Sequence, residues 1–409
     1  MNSKKKHIIV QINATANSGS TGRIVEGISR LILQKGWDSI VAFGRNESQS
    51  HSKTLKIGNK VSLYKHVFLT RIFDKHGLGS VKSTKEFLTQ LKHLKPDIIH
   101  LHNIHGYYLN YKLLFEFLND SGIPVVWTLH DCWAITGHCA YFDFANCYKW
   151  KISCSHCPQK KVYPASWFSD RSEKNYHQKK ESFHLLNDIT LVTVSYWLKS
   201  IISKSFLADK SCVLIHNGIN LTHFAYQESE FRNQYQLHDK MIILGVASVW
   251  DQRKGLNDFI KLSQKLDQKT VIVLVGLTKS QTKRLPENII AIKRTESVTE
   301  LAKIYSAADV FFNPTWEDNY PTTNMEAIAC GTPVITYNTG GSVESISENT
   351  GYIIEKGNLD GCINALNDIN KKGRSYFIQN CQEYSHNHFN QEVNFNKYIM
   401  LYEKILSKR

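Results

Sequence analysis

Short apolar segments alternate with helical segments along nearly the whole chain, and this alternation limits the folds that it can adopt. Because these segments are apolar on consecutive residues rather than on every second one, each predicts a strand covered on both faces, as in a parallel sheet between helices. The segments are HIIVQI (7–12), SIVAF (39–43), DIIHLH (97–102), PVVWTLH (124–130), ITLVTVS (189–195), MIILGVASV (241–249), TVIVLVG (270–276), IIAI (289–292), DVFFNPT (309–315) and PVITY (333–337).

The predicted strands fall into two series, and each series is long enough to build a sheet of its own. The chain has 409 residues and 42% of them are apolar, so two domains of ordinary size with packed cores are expected. We therefore predict an α/β protein of two Rossmann-like, doubly wound domains facing a central cleft.

The net charge of +14 lies entirely in the amino-terminal half of the chain. Residues 1–225 hold 29 Lys and Arg against 15 Asp and Glu, whereas the remainder holds 21 of each. This asymmetry predicts an anionic partner for the first domain alone. Nucleic acid would fit the charge, but the sequence has no helix-turn-helix, RNP or KH pattern, so we expect no nucleic-acid partner.

The basic stretch 53–95 contains an amphipathic helical pattern. Val61, Tyr64, Phe68 and Ile72 recur at helical spacing with basic residues around them. Two interpretations stay open for this helix. It lies on an anionic membrane surface, or it packs its apolar side on its own domain and leaves the charges outside.

The sequence predicts a cytosolic protein. It contains no run of eighteen apolar residues, so we expect no transmembrane helix. The start, MNSKKKHIIVQI, is basic, but its apolar part is too short for a signal peptide and leads directly into a predicted strand.

The stretch 311–342 combines a strand, two spaced acids, a helix and a Gly-Gly loop in FFNPTWEDNYPTTNMEAIACGTPVITYNTGGS. Asp318 and Glu326 stand on either side of the predicted helix start. Two interpretations stay open for this pair. Either the two carboxylates converge on one ligand, or Glu326 favours the helix dipole and Asp318 is a solvated loop acid. Gly340 and Gly341 open a loop that is able to approach a phosphate closely.

This string resembles the nucleotide-sugar signature of the family 4 glycosyltransferases, which are retaining enzymes of the GT-B fold. The family pattern is Glu, seven residues, Glu, then Ala-x-Ala-x-Gly-x-Pro-Val-Ile, and here Asp318 takes the first acidic position. DNYPTTNMEA is similar to the branch that includes colanic-acid-type exopolysaccharide glycosyltransferases. The resemblance implies a hexosyl transfer from a nucleotide-sugar to a glycan, expected to be lipid-linked, in capsule, exopolysaccharide or O-antigen assembly at the inner face of the cytoplasmic membrane.

The resemblance also implies that the two domains bind different substrates. HNGIN (216–220) is similar to the inter-domain segment of the family. Residues 1–220 would bind the acceptor and carry a Cys-rich insertion at 132–159, and residues 221–385 would bind the nucleotide-sugar. The helical segment 386–409 would cross back onto the first domain, as in family members.

The donor-binding residues implied by the resemblance lie mainly in the second domain. Glu326 would bind the ribose and Asp318 would face the transferred sugar. Lys254 matches a family cation that holds the diphosphate, but the usual Arg position falls near Ser248, so Arg253 is the candidate for the second cation. Cations in these positions imply that catalysis needs no metal cofactor. The amides near Gly340 and Gly341 would complete the diphosphate site.

In the first domain, Gly19 and Gly22 precede a predicted helix in an arrangement that suits an anion or an ordinary tight turn equally. The matching family loop lies against the donor phosphates and the acceptor. His102 and Asn103 resemble an acceptor-side loop of the family, and His130 matches a histidine that reaches the transferred sugar. A structural histidine at a strand end is the alternative for His130.

Cysteines are concentrated in the insertion. Cys139, Cys147, Cys154 and Cys157 have spacings that would supply four thiolates to a tetrahedral zinc ion, with His138 and His156 nearby. In a reducing cytosol a structural zinc is favoured over disulfides. The alternative is a set of buried free thiols that stabilise the loop by packing.

Two other functions fit parts of the sequence. A nucleotide-sugar epimerase on the same fold would use the donor without an acceptor. A non-catalytic scaffold would explain Asp318 in place of Glu and the displaced Arg. Lys254, Glu326 and both glycine loops occur together, which favours the transferase.

Overall fold

A computed structural model describes residues 6–409, so Lys4 and Lys5 of the basic start lie outside the described residues. The chain divides into two compact units: one runs up to His216 and includes Glu392–Arg409, and the other is Asn217–Gln391. The ranges predicted from the sequence, 1–220 and 221–385, differ from this division by a few residues. Among residues 6–409, no helix has the length and apolarity needed to cross a membrane.

The first unit contains a seven-stranded, wholly parallel sheet in the order β3-β2-β1-β4-β5-β6-β7. The direction of strand order reverses between β1 and β4, where the two crossovers leave the sheet to opposite sides. The strands are β1 Ile8–Asn13, β2 Asp38–Phe43, β3 Lys53–Lys56, β4 Ile98–Leu101, β5 Val125–Leu129, β6 Ile189–Thr193 and β7 Ser211–Leu214; the helices are α1 Gly19–Gln34, α2 Lys60–Phe73, α3 Val81–Leu94, α4 Tyr111–Ser121, α5 Ser172–His184 and α6 Tyr196–Ile202.

The second unit contains a six-stranded parallel sheet in the order β10-β9-β8-β11-β12-β13. Its strand order reverses between β8 and β11. The strands are β8 Met241–Val246, β9 Thr270–Val275, β10 Ile289–Ile292, β11 Val310–Asn313, β12 Val334–Tyr337 and β13 Gly351–Ile354; the helices are α7 Phe231–Gln234, α8 Leu256–Ser263, α9 Lys279–Thr282, α10 Val298–Ala307, α11 Thr322–Ala329, α12 Leu359–Lys372 and α13 Arg374–His388.

The last helix, α14 (Gln391–Leu406), belongs to the core of the first unit. Its buried residues Phe395, Tyr398, Ile399 and Tyr402 pack in one apolar cluster with side chains of β1, β4 and β5. The Tyr402 hydroxyl also lies 2.6 Å from Nδ1 of a buried histidine on β4. The final helix therefore covers one face of a sheet built almost entirely from the first half of the chain.

All ten predicted strands are present, which confirms the predicted pair of parallel sheets. Three strands were not predicted: β3, β7 and β13. Each lies at an edge of its sheet, where one side of the strand has no neighbour. Their residues are largely exposed or half-buried, so the sequence does not show a continuous apolar run at these positions.

Candidate active site

Three loops of the second unit meet at the carboxyl ends of neighbouring strands. They carry Lys254 after β8, Asp318 after β11 and Gly340 after β12. β11 pairs with both β8 and β12, and the strand order reverses between β8 and β11. Crevices at such reversal points are the usual ligand sites of open parallel sheets. We therefore take these loops as the candidate donor site.

The Asp318 carboxylate lies between two cations. Its Oδ2 is 2.5 Å from Lys254 Nζ and 3.8 Å from an Arg253 guanidinium nitrogen. Burial alone would raise the pKa of Asp318, but Lys254 and Arg253 outweigh this effect and hold the pKa below its ordinary value. Asp318 is 9% exposed, so the interpretation of Asp318 as a solvated loop acid is wrong. The group is an ionised carboxylate in a mostly buried cationic site.

Arg253 points toward Asp318 and not into solvent. Its side chain is 24% exposed, and one guanidinium nitrogen donates to the Glu317 carbonyl at 2.8 Å. The Arg253 carbonyl in turn accepts from the Trp316 amide at 2.8 Å. This reciprocal pairing fixes the loop after β8 against the loop after β11, so the turn that carries both cations is held by backbone contacts at Arg253.

Sequence reasoning missed the residue that sets the backbone at Lys254. Asp251 caps the short 3-10 turn Gln252–Lys254, and its Oδ1 accepts from the Lys254 amide at 3.0 Å. An Asp three residues before the cation is a capping signal that the sequence does contain. The cap directs the Lys254 side chain from a defined backbone position.

Two glycines bring the loops together. A Cβ at Gly255 would lie 2.3 Å from the Pro314 carbonyl oxygen, and a Cβ at Gly340 would lie 1.9 Å from the Asp318 carbonyl oxygen. Both glycines have positive φ, +73° and +52°. The Gly341 amide donates to the same Asp318 carbonyl at 3.2 Å. The loop after β12 therefore lies directly against the backbone of Asp318.

Glu326 lies in the middle of α11, next to α10. It is 5% exposed, and its Oε2 accepts from the Tyr305 hydroxyl at 3.3 Å. α11 begins at Thr322, so Glu326 stands in its second turn. It therefore lies beyond the first turn, whose backbone amides are free of helical hydrogen bonds. Its proposed contact with a ribose stays a prediction.

The corresponding edge of the first unit carries a histidine cluster. His102 follows β4, His130 follows β5, and their rings stack with centroids 5.4 Å apart. His102 Nδ1 lies 3.1 Å from His130 Nε2. Burial lowers the pKa of His130 to about 4, with Asp131 opposing and His105 adding to the shift. His130 is therefore a neutral imidazole near pH 7.

Gln11 on β1, which the sequence analysis did not single out, orients this cluster. Its amide nitrogen donates to Val25 O and Ser29 Oγ of α1, so its oxygen accepts from His102 Nε2 at 3.1 Å. His102 then has its proton on Nε2, and its Nδ1 accepts from His130 Nε2–H. The signal was a polar residue inside the otherwise apolar strand HIIVQI.

The glycine loop after β1 differs from the prediction. Gly19 and Gly22 were expected to precede the helix, but α1 begins at Gly19 and Gly22 is buried in its first turn. A Cβ at Gly22 would lie 2.8 Å from Thr15 Oγ1, so close packing already requires glycine there. Asn103 is held through its backbone, since its amide donates to Asn13 Oδ1 at 3.3 Å. The ligand roles of Gly19, Gly22 and Asn103 stay predictions.

Comparison with known proteins gives these sites a common context. Residues 21–223 match the model described as Glycosyltransferase Family 4, and residues 227–386 match the model described as Glycosyl transferases group 1. The chain belongs to glycosyltransferase family 4.

Three similar proteins illustrate the family. WcaC of Escherichia coli (strain K12), named as a colanic acid biosynthesis glycosyl transferase, is 23% identical over 85% of this chain and 87% of its own. A Campylobacter jejuni N,N'-diacetylbacillosaminyl-diphospho-undecaprenol alpha-1,3-N-acetylgalactosaminyltransferase is 28% identical over 34% of this chain and 39% of its own. HepE from Anabaena in complex with UDP has a TM-score of 0.69 and 14% identity over 98% of this chain and 100% of that one. The structural likeness identifies the GT-B fold.

In this family 4 glycosyltransferase, the displaced Arg has a structural explanation. The usual Arg position falls near Ser248, which is exposed. Arg253, adjacent to Lys254, instead lies 3.8 Å from Asp318. The second cation beside Asp318 therefore comes from the short turn after β8 rather than from the strand end.

The Cys-rich insertion of the glycosyltransferase belongs to the first unit and has no disulfide. Cys139, Cys147, Cys154 and Cys157 line one cavity. As their side chains stand, no group of three or more His, Cys, Asp or Glu within residues 6–409 is arranged to hold a metal ion. The predicted zinc stays a prediction.

Proposed function

We propose that this glycosyltransferase is a retaining hexosyltransferase that moves a sugar from a nucleotide-sugar to a lipid-linked glycan in capsule, exopolysaccharide or O-antigen assembly. The observation that carries the proposal is the contact of Asp318 with two cations at the strand-order reversal of the second unit. The names of the relatives support the pathway, since one refers to colanic acid biosynthesis and another to a diphospho-undecaprenol substrate.

On the donor side, Lys254 and Arg253 would stabilise the negative charge that builds on the departing nucleoside diphosphate. Both cations now face Asp318, at 2.5 and 3.8 Å. A diphosphate carries more charge than one carboxylate, so it would share or take over these contacts. Asp318 would then turn toward the transferred sugar, and Glu326 would bind the ribose.

On the acceptor side, His130 would contact the transferred sugar as a neutral group. With a pKa of about 4, it carries no positive charge near pH 7 and is a poor general acid there. The network from Gln11 through His102 places the proton of His130 on Nε2. His130 therefore supplies an oriented imidazole dipole. In a retaining reaction in which the leaving group departs and the acceptor attacks on the same face of the sugar, this residue does not have to donate a proton.

The exposed face of α2 supports an acceptor in a membrane. Val61, Tyr64 and Phe68 are 60%, 68% and 59% exposed, whereas the buried residues of the helix are His66 and Thr70. Ile72, the fourth predicted apolar position, is half-buried, so most of the predicted apolar side of α2 does not pack on its own domain. Exposed apolar side chains among lysines suit the surface of an anionic bilayer. We propose that α2 docks the enzyme there.

A donor panel tests the nucleotide site. Thermal unfolding would be followed with UDP-, GDP-, ADP- and dTDP-sugars, and a ligand of the folded state raises the melting temperature by mass action. We expect one base to stabilise the parent and Lys261→Ala, but not Lys254→Ala or Glu326→Ala. Lys261 is an exposed lysine of α8, so its removal controls for charge alone.

The same preparation separates the transferase from its alternatives. A scaffold would bind no donor, and an epimerase would convert the donor without any acceptor. With a lipid-linked acceptor extract, we expect transfer of the sugar with the anomeric configuration of the donor retained, as read by NMR of the product. Inversion would contradict the retaining assignment.

Vesicle sedimentation tests the docking face. The parent should bind vesicles of anionic phospholipid and not zwitterionic ones, and Tyr64→Ser/Phe68→Ser should lose most of this binding at unchanged melting temperature. Met400→Ser, at a 62% exposed apolar position of α14, is the matched control and should bind normally. Equal binding by all three proteins would exclude α2 as the docking element.

A further inference from the structure

The Cys-rich insertion contains little regular structure to hold it in place. Within 137–159 the backbone forms only the 3-10 turn Lys149–Lys151. Yet four thiols from separate parts of the insertion, Cys139, Cys147, Cys154 and Cys157, line a single cavity, and none of them forms a disulfide. Thiols gathered from distant loop positions without a disulfide are the arrangement from which structural zinc sites are built.

A buried histidine faces the same cavity. His138 is 2% exposed and lines the cavity, and its Nε2 has no hydrogen-bond partner. Its Nδ1 lies 2.6 Å from Asp74 Oδ1. A carboxylate that accepts from Nδ1–H leaves the lone pair on Nε2, which is how metal-binding imidazoles are presented. A buried nitrogen without a partner otherwise costs free energy, so its position requires an explanation.

The support behind His138 is itself fixed. Asp74 ends α2 in a left-handed conformation with φ of 51°, and its other oxygen accepts from the Arg171 amide at 2.8 Å. The Asp74 carbonyl accepts from Asn175 Nδ2 at 2.8 Å. Asp74 is therefore held from two sides, and it in turn sets the orientation of the imidazole.

Cys139 and Cys157 are the two cavity thiols that pair with each other through a side-chain hydrogen bond, so one of them is able to keep its proton and donate it to the other. The neighbouring His138 has a buried Nε2 without a partner, oriented by Asp74, and this nitrogen would supply the fourth ligand. Cys139 would keep its proton and donate to Cys157. We propose that the insertion binds one structural zinc ion through the thiolates of Cys147, Cys154 and Cys157 and Nε2 of His138, with Asp74 as the positioning residue.

The side chains would have to close on the ion, since no metal-holding group is preformed within residues 6–409. Side-chain rotation of this kind is normal where metal binding completes the fold of a loop. Three thiols would lose their protons to solvent, and Nε2 would bind through its lone pair. Because the insertion begins next to His130 and Asp131, the ion would also anchor the loop beside the proposed acceptor site.

Metal analysis of the full chain tests the proposal independently of any transferase activity. The parent, expressed with added zinc and purified under reducing conditions, should contain about one zinc per chain. Replacement by cobalt should give a thiolate-to-cobalt charge-transfer band. No zinc and no such band would overturn the proposal, as would a mass that shows a disulfide among the cavity cysteines. This readout needs no variant, so a failure of variants to fold does not affect it.

Two neighbouring substitutions test the ligand set. His138→Asn keeps a donor near Asp74 but lacks Nε2, so its zinc content should fall at least about tenfold. Cys139→Ser, the adjacent position in the same cavity, should keep its zinc, and so should Cys212→Ser outside it. Loss in Cys139→Ser together with retention in His138→Asn would overturn the assignment of His138.

Discussion

The charge of Asp318 in the second unit depends on cations and backbone from two neighbouring loops. Lys254 and Arg253 reach it from the loop after β8, and the loop after β12 rests on its carbonyl. Its pKa is held below the ordinary value although burial opposes this. A carboxylate in such a place stabilises the folded state only while it is ionised.

We predict that Asp318→Asn lowers the free energy of unfolding by about 2 kcal/mol at pH 7, because two mostly buried cations lose their counter-charge. Since the folded pKa is lowered, the contribution is complete above the ordinary carboxylate pKa of about 4. It is lost as the pH falls through the folded value. Urea unfolding at pH 7 and pH 3 should therefore show a difference between parent and variant that shrinks in acid.

Asp360→Asn provides the control for that measurement. Asp360 pairs with Lys265 at 2.7 Å, but both side chains are substantially exposed, at 80% and 46%. Exposed pairs of this kind contribute at most about 1 kcal/mol. If Asp318→Asn were no less stable than Asp360→Asn at pH 7, the role assigned to the buried pair would be wrong.

Among the loops, the one after β12 depends on a single backbone position. Gly340 has φ of +52° and leaves no room for a Cβ, because the Asp318 carbonyl oxygen would lie 1.9 Å away. The loop is therefore able to lie on Asp318 only with glycine at this point. Any side chain would separate the strand end of β12 from that of β11.

We expect Gly340→Ala to displace this loop and to abolish the donor-induced rise in melting temperature. Gly122→Ala is the matched control: Gly122 also has positive φ, +59°, in the left-handed helical region, but nothing lies within 4 Å of its Cβ position. The control should cost only the backbone strain, about 1 kcal/mol, and keep donor binding. Donor binding by Gly340→Ala with parental affinity would show that the loop does not contribute to the site.

Across the molecule, buried histidines are concentrated in the first unit. Burial is the main cause of a lowered pKa at His66, where it falls to about 3, and at His130, where it falls to about 4. The same holds for His76, His100 and His102, whose pKa values lie well below the ordinary one. The unfolded chain binds protons at these positions near pH 6.5, whereas the folded chain does not.

The first unit should therefore lose stability on mild acidification. Each such histidine favours unfolding by about 1 kcal/mol at pH 5.5 relative to pH 7.5, because protonation is confined to the unfolded state until the pH reaches the folded pKa. Urea unfolding followed by tryptophan fluorescence at both pH values measures the change. Equal stability would contradict it, and His93→Gln, at an exposed position of α3 in the same unit, should leave the change between the two pH values as it is.

The sequence determined the two sheets and the family, because both depend on local signals. Ten strands could be predicted from the sequence because buried parallel strands require apolar side chains on both faces. The Asp318-to-Glu326 signature is equally local. The edge strands β3, β7 and β13 contain exposed residues, and an exposed position does not require an apolar side chain. Their sequences therefore carry no comparable pattern.

Tertiary structure decided which residues meet. Only the fold shows that Gln11 orients His102, that Arg253 faces Asp318, and that most of the predicted apolar side of α2 is exposed. It also brings Asp74 to His138, 64 positions along the chain. Local composition specifies whether a segment is buried, but the direction of a side chain depends on distant elements that pack around it, and no short pattern encodes those.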